Sequence, residues 1–351
     1  MIKQIVGSLT LSLLSATLLL SQGYDDSTLV VAEDQEAEIA YNRGIENFQS
    51  GNFQQALMDF DEAIRLKPAF AKAYVNRGNV KIKLADYSGA VSDFDFALNA
   101  DPGLGSAYFS RGFAKFNLGQ YESASKDLDM AVSKGYDDAK VFYYSGVVKF
   151  QLGEYKDAIN EFTRAIYKKP DYAYAYNDRG SAKRKLEDYE GAISDYNAAL
   201  KLNPQMAFTY NNLGSAKKKK GDFKDAIVDY SMAIKIKPDY HIAYNNRGSA
   251  KYEAGDYEGA IEDYNKAVIL KPDYAYAYNN LGTVKMKMKD YSGAIKEYNR
   301  AIEADPNYGY AYMNRGSAKE MLRDAEGACE DWKKALELGV EQVQNFIHQC
   351  R

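Results

Sequence analysis

Glycine returns every 34 residues along this chain, at Gly44, Gly78, Gly112, Gly146, Gly180, Gly214, Gly248, Gly282 and Gly316. Few folds tolerate such a period. A unit of this length cannot bury its own apolar face, so each copy must pack on its neighbours and the array becomes quasi-one-dimensional. Alanine keeps the same phase twice more, from Ala56 to Ala328 and from Ala63 to Ala335. Small residues at three fixed places per unit mark close helix contacts. The repeat covers residues 37–342 without an insertion, so the sequence reads as one elongated domain rather than two globular ones.

Residues 207–240 serve as a type unit. Helical periodicity runs from Phe208 to Lys219, breaks at Gly221-Asp222-Phe223, and resumes from Asp225 to Ile236 before Pro238. Each unit is therefore a helix-turn-helix hairpin, in which glycine stops the first helix and a polar residue caps the second. Proline closes the second helix at Pro68, Pro102, Pro170, Pro204, Pro238, Pro272 and Pro306, because it cannot continue the hydrogen-bond ladder. Two units have Tyr136 and Val340 there instead, each preceded by glycine, Gly135 and Gly339. Glycine ends a helix through a left-handed cap. At Gly135 two readings are open: an equivalent ending, or an altered bend with a weaker interface.

The pattern of Tyr210, Gly214, Ala226, Tyr230, Ala233 and Pro238, kept in phase through nine units, resembles the tetratricopeptide repeat family. The resemblance implies an all-α fold, a right-handed superhelical α-solenoid of stacked antiparallel hairpins. One departure stands out. Where the family usually has leucine before the glycine, this chain has Arg43, Arg77, Arg111, Arg179, Arg247 and Arg315. All six arginine units carry aspartate sixteen residues on, at Asp59, Asp93, Asp127, Asp195, Asp263 and Asp331. A cross-hairpin bidentate pair follows, since an unpaired charge beside a core is costly. The other units hold Ser145 with Glu161, Leu213 with Asp229, and Leu281 with Glu297.

The resemblance also implies that first helices line a concave face where peptides are held. By repeat position, the second and fifth residues of each first helix point inward. The fifth is Asn177, Asn211, Asn245 and Asn279 in repeats five to eight, a ladder of amides. An amide carries donor and acceptor together, which suits a peptide backbone. The next residue adds Asn212, Asn246, Asn280 and Asn314, for which local helix hydrogen bonds are the alternative reading. Tyr174, Phe208, Ile242, Tyr276 and Tyr310 form apolar shelves at the second position, whereas repeats one to four have Tyr41, Val75, Phe109 and Tyr143 at the fifth. The groove is expected to be more apolar in its first half and amide-lined in its second.

The N-terminus has Lys3, an apolar run over residues 5–20 diluted by serine, threonine and glycine, then a polar stretch. This is the layout of a signal peptide over residues 1–23, cleaved before Tyr24, with an uncleaved membrane anchor as the alternative. Residues 24–36, rich in acids, read as a flexible lead-in. The expected location is outside the cytoplasm, periplasmic or secreted. Residues 343–351 read as a capping helix, the start of an incomplete tenth unit. Cys350 falls where the tenth glycine would lie, against the hairpin holding Cys329, and both a disulfide and two buried thiols remain open.

Several function classes drop out. Net charge is only −4 with both signs interspersed, which argues against nucleic acid or an anionic membrane surface as partner. With His241 and His348 the only histidines, and no phosphate-cradling loop, neither a metal centre, a cofactor site nor a catalytic constellation emerges. Lys217-Lys218-Lys219-Lys220 reads as a solvated helix end meeting the helix dipole. What remains is a non-enzymatic scaffold with a protein or peptide client. The alternative is a membrane-tethered assembly or biogenesis factor for envelope complexes.

Overall fold

The computed structural model describes residues 35–348 and Cys350. The expected signal peptide or anchor, and most of the lead-in, lie outside the described residues. The chain divides into two compact units, one ending at Asp188 and the other beginning at Tyr189. The first contains α1 (Gln35–Gln49), α2 (Phe53–Leu66), α3 (Ala71–Lys83), α4 (Tyr87–Ala100), α5 (Gly105–Asn117), α6 (Tyr121–Ser133), α7 (Ala139–Gln151), α8 (Tyr155–Lys168) and α9 (Ala173–Lys185). The second contains α10 (Tyr189–Leu202), α11 (Ala207–Lys220), α12 (Phe223–Ile236), α13 (His241–Glu253), α14 (Tyr257–Leu270), α15 (Ala275–Lys287), α16 (Tyr291–Ala304), α17 (Gly309–Met321) and α18 (Ala325–Glu337). A 3-10 turn at Glu341–Val343 and the short α19 (Gln344–Ile347) close it. This is the α-solenoid architecture of stacked helix hairpins. Among the described residues the first helix runs from Gln35, just inside the expected lead-in, and the closing helix covers Gln344–Ile347 of the expected 343–351.

At most of the periodic glycines an aromatic ring of the second helix meets the first, and at Gly112 Leu128 does so. A Cβ on Gly44 would lie 2.7 Å from the Phe60 ring, and one on Gly282 would lie 2.5 Å from Tyr298. Only glycine admits the ring at that depth. The phased alanines, such as Ala226 and Ala233, are fully buried for the same reason of close approach.

The turn between paired helices needs one left-handed residue. Glycine supplies it at Gly51, Gly119, Gly153, Gly221 and Gly255, while Ala85, Glu187, Lys289 and Arg323 adopt it with φ of 61–64°. Capping of the second helix is selective. Asp86, Asp256, Asp290 and Asp324 accept from the backbone N–H three residues on, whereas Asn52, Gln120, Glu154 and Asp222 make no such side-chain bond. In each bonded case the donor is glycine, and a Cβ there would stand 1.9–2.4 Å from the aspartate oxygen. Capping therefore requires the Asp-Gly combination, not aspartate alone.

At the Gly135 junction Gly135 is left-handed with φ of 83°, and the Tyr136 N–H donates to the Ala131 carbonyl at 3.0 Å. Val340 after Gly339 repeats this with Ala335 at 2.9 Å. The Tyr136 ring stacks on Phe109 at 5.1 Å, and one apolar cluster runs through the junction from Val75 to Ala182. Packing there is continuous, so the ending is equivalent to a proline stop and not a weak point.

Candidate ligand-binding face

Within each unit, first helices of successive repeats lie side by side: α1 on α3, α3 on α5, α5 on α7 and α7 on α9, then α11 on α13, α13 on α15 and α15 on α17. Their shared face is where the expected site residues fall.

The fifth residues sit deeper than expected. Asn177, Asn211, Asn245 and Asn279 are only 3–7% exposed. In the second unit they form a relay with the neighbouring series: Asn246 Nδ2 donates to Asn211 Oδ1 at 2.9 Å, Asn280 to Asn245 at 2.9 Å, and Asn314 to Asn279 at 2.8 Å. The donor and acceptor of each amide are thus not both available to a client, because the oxygen is already taken by the next repeat. The Nδ2 groups of Asn211 and Asn279 donate to no described residue, and neither is a fully enclosed orphan. Asn212 is buried, whereas Asn246, Asn280 and Asn314 are half-buried.

The more apolar first half is also corrected. Val75, Phe109 and Tyr143 are buried between neighbouring first helices and do not line an open groove. Phe109 packs against Tyr136 and Tyr144, and Tyr143 packs against Tyr172 at 4.8 Å. The second-position residues Tyr174, Phe208, Ile242 and Tyr276 are half-buried, and Tyr310 is 44% exposed. Tyr276 contacts Tyr308 at 4.9 Å, and Tyr308 contacts Tyr310 at 6.2 Å, so Tyr276 and Tyr310 belong to one aromatic edge in the second unit.

Four of the six arginine–aspartate pairs form the fork as read, and Arg43 reaches Asp59 through Nε. Arg77 reaches Asp93 at 3.0 and 2.6 Å, Arg111 reaches Asp127 at 2.8 and 2.6 Å, and Arg247 and Arg315 repeat the fork on Asp263 and Asp331. Sequence reasoning missed the third nitrogen, which crosses to the preceding repeat. Nη1 of Arg77 bonds Asp61, that of Arg111 bonds Asp95, that of Arg247 bonds Ser231, and that of Arg315 bonds Asn299. Lysine four residues after each of these four arginines completes the site, as Lys81 on Asp93 at 2.8 Å and Lys319 on Asp331 at 2.9 Å, and Asn47 does so on Asp59 at 2.7 Å. The glutamate repeats take a different cation: Arg164 pairs with Glu161 and Arg300 with Glu297, each arginine also covering a ring, Phe142 at 4.0 Å and Tyr278 at 4.3 Å.

The lysine run is not simply a solvated end. Lys217 pairs with Asp229 at 2.7 Å, Lys220 with Glu190 at 2.6 Å, and Lys218 donates to Ser249 at 3.0 Å. Burial, reinforced by Lys219, holds the Lys218 ammonium below its ordinary pKa. Position in the repeat overrode the appearance of a charge run, because lysine at the place of Lys217 serves the acid of its own hairpin. Cys329 and Cys350 are joined as a disulfide with Cα atoms 5.6 Å apart. Among the described residues no group of three or more His, Cys, Asp or Glu could hold a metal ion, and no helix is long and apolar enough to cross a membrane.

These hairpins, with first helices aligned on one face, define an α-solenoid repeat protein. Tetratricopeptide repeat models match residues 37–70, 109–173 and 275–308, and a TPR repeat model matches 180–221, 214–255 and 248–289. The chain belongs to the tetratricopeptide repeat family, and by that membership it is a protein–protein interaction scaffold on a fold that is generally non-enzymatic. Solved structures with similarity include YrrB, described as a TPR protein with an unusual peptide-binding site, at 24% identity over 52% of this chain and 95% of that one, TM-score 0.48. MamA is 31% identical over 49% of this chain and 94% of its own, TM-score 0.42. Yeast Tom70 is 15% identical over 90% and 96% respectively, TM-score 0.48. No curated protein matches.

Proposed function

We propose that this scaffold holds an extended segment of a client protein along the face of its first helices, outside the cytoplasm. The observation that carries the reading is the asparagine relay. The oxygens of Asn211, Asn245 and Asn279 are each fixed by the next repeat, which orients the amide, and in Asn211 and Asn279 the Nδ2 group remains to donate to a client carbonyl. A row of oriented donors beside the Tyr276 and Tyr310 shelf suits an extended backbone. Export is supported by the layout of residues 1–23 and by the Cys329–Cys350 bond, since disulfides persist in oxidising compartments.

The test uses aspartate rather than alanine. Changing Asn211, Asn245 and Asn279 together to aspartate keeps an oxygen for the neighbouring asparagine and removes the donor. Crosslinked pull-down from native extract should lose client about tenfold or more relative to wild type, at unchanged helical content. Undiminished capture removes the relay from the account. Sequencing the mature N-terminus in the same sample checks location, with a start near Tyr24 expected.

A further inference from the structure

Asp178 is the one acid at a place in the repeat held elsewhere by Asn42, Asn76, Ser110, Tyr144, Asn212, Asn246, Asn280 and Asn314. Its carboxylate accepts from the Tyr143 hydroxyl at 2.8 Å and from Asn177 Nδ2 at 2.9 Å. Both donors are neutral. Elsewhere in the same unit the inward carboxylates Asp59, Asp93 and Asp127 each hold an arginine, and no described lysine or arginine pairs with Asp178.

The structural role of this position does not require a charge. In the first two repeats the equivalent pair is Tyr41 with Asn76, whose Nδ2 donates to the tyrosine oxygen at 2.8 Å. An amide therefore suffices to join neighbouring first helices. The negative charge at Asp178 is surplus to that interface.

Its surroundings suit a cation. The rings of Tyr143 and Tyr172 pack 4.8 Å apart beside it, and Tyr174 stands one helical turn earlier on α9, half-buried like Asp178 itself. The half-buried carboxylate attracts a guanidinium or ammonium through a charge-assisted hydrogen bond, and the partly exposed Tyr174 ring, unlike the buried rings of Tyr143 and Tyr172, adds its quadrupole. We propose that Asp178, flanked by Tyr143, Tyr172 and Tyr174, is the subsite that receives an arginine or lysine side chain of the bound segment. This rests on the client-binding face described above and adds the chemistry of the client. Burial pushes the carboxyl up to about 6, and its field raises the hydroxyls of Tyr143 and Tyr172, each already raised chiefly by burial. A carboxylate desolvated in this way gains more from an arriving cation than a solvated one.

The test presents the full chain with pools of capped decapeptides that are random except for one central position, fixed as arginine, lysine, citrulline, norleucine or glutamate. Wild type should retain the arginine and lysine pools about tenfold over citrulline, and Asp178→Asn should bind all five alike. Asparagine is the residue six of the other eight repeats carry, so this variant keeps the interface, and its circular dichroism and melting serve as the folding check. Equal retention of citrulline and arginine by wild type, or a preference that survives Asp178→Asn, overturns the subsite while leaving the client face in place. Retention of no pool by either protein sinks both.

Discussion

Asn246 donates its side-chain N–H to the Asn211 oxygen at 2.9 Å, across 35 residues of sequence. Adjacent residues of one helix thus have opposite duties: the fifth takes a bond from the repeat after it, and the sixth gives one to the repeat before it. Asn245→Ala removes the acceptor of Asn280, and should cost about 1 kcal/mol in a urea melt, with the Asn245→Ala, Asn280→Ala double variant losing less than the sum of the two single variants. Additive losses would show that the bond adds nothing to the stack.

The glycine beneath each ring has little slack. Gly282→Ala places a methyl 2.5 Å from Tyr298 and should destabilise by about 1–3 kcal/mol, read as a lowered urea midpoint. Lys289→Gly, a few residues away, should act in the opposite sense. It relieves a left-handed lysine at φ 64° and should stabilise by about 1 kcal/mol.

Repeat six carries a natural version of an arginine deletion. Leu213 replaces the arginine, Asp229 keeps only Lys217, and burial pushes its carboxyl above the ordinary value. Arg111→Leu should likewise leave Asp127 with its lysine alone, Lys115, and also release Asp95. A loss of about 3 kcal/mol at neutral pH is expected, read as a lowered urea midpoint; an unchanged midpoint would show that the fork adds nothing.

Asp178 gives the first unit an inverted pH response. Its folded pKa of about 6 exceeds the ordinary 3.8, so the folded state holds the proton more tightly than the unfolded state. Below about 4 both states are protonated and the group costs nothing. As pH rises from 4 to 6 the unfolded chain ionises first and stability falls, by roughly 2 kcal/mol. Urea melts at pH 4 and 7 should show wild type gaining on Asp178→Asn upon acidification. A constant difference would contradict the assignment.

The Cys329–Cys350 bond closes a short loop around the last hairpin, and Trp332, the only tryptophan, lies beneath it with Phe346 stacked at 5.1 Å. Reduction should cost about 3 kcal/mol on loop-entropy grounds and shift the tryptophan emission to longer wavelength before the rest of the chain melts. A spectrum indifferent to reductant would mean that the cap packs without its bond.

The hairpin, its glycine–ring contact and the Arg–Asp fork were legible because each lies inside one period, where sixteen residues of separation recur in the text itself. Contacts between repeats were harder to read. The partners of Asn211 and Asn246, or of Arg111 and Asp95, depend on how neighbouring helices stagger, which the period does not encode. The asparagine ladder was therefore visible as a series but not as a relay whose oxygens are taken by the next repeat, and the burial of the apolar fifth residues Val75, Phe109 and Tyr143 did not show in the text. The signal for the glutamate repeats was present: arginine at the place of Arg164 and Arg300 coincides with Glu161 and Glu297. Asp178 needed only comparison with its eight counterparts, but its lack of a cation is a fact of three dimensions.

The clasp at Cys350 also bears on how such a chain can lengthen over generations. Because the asparagine and arginine links are addressed to whatever stands one period away, a duplicated hairpin spliced between existing ones would find ready partners on both sides. A copy set directly against the ninth hairpin would meet the surface of Trp332 that Phe346 and the disulfide already cover, so duplication from within is the easier route.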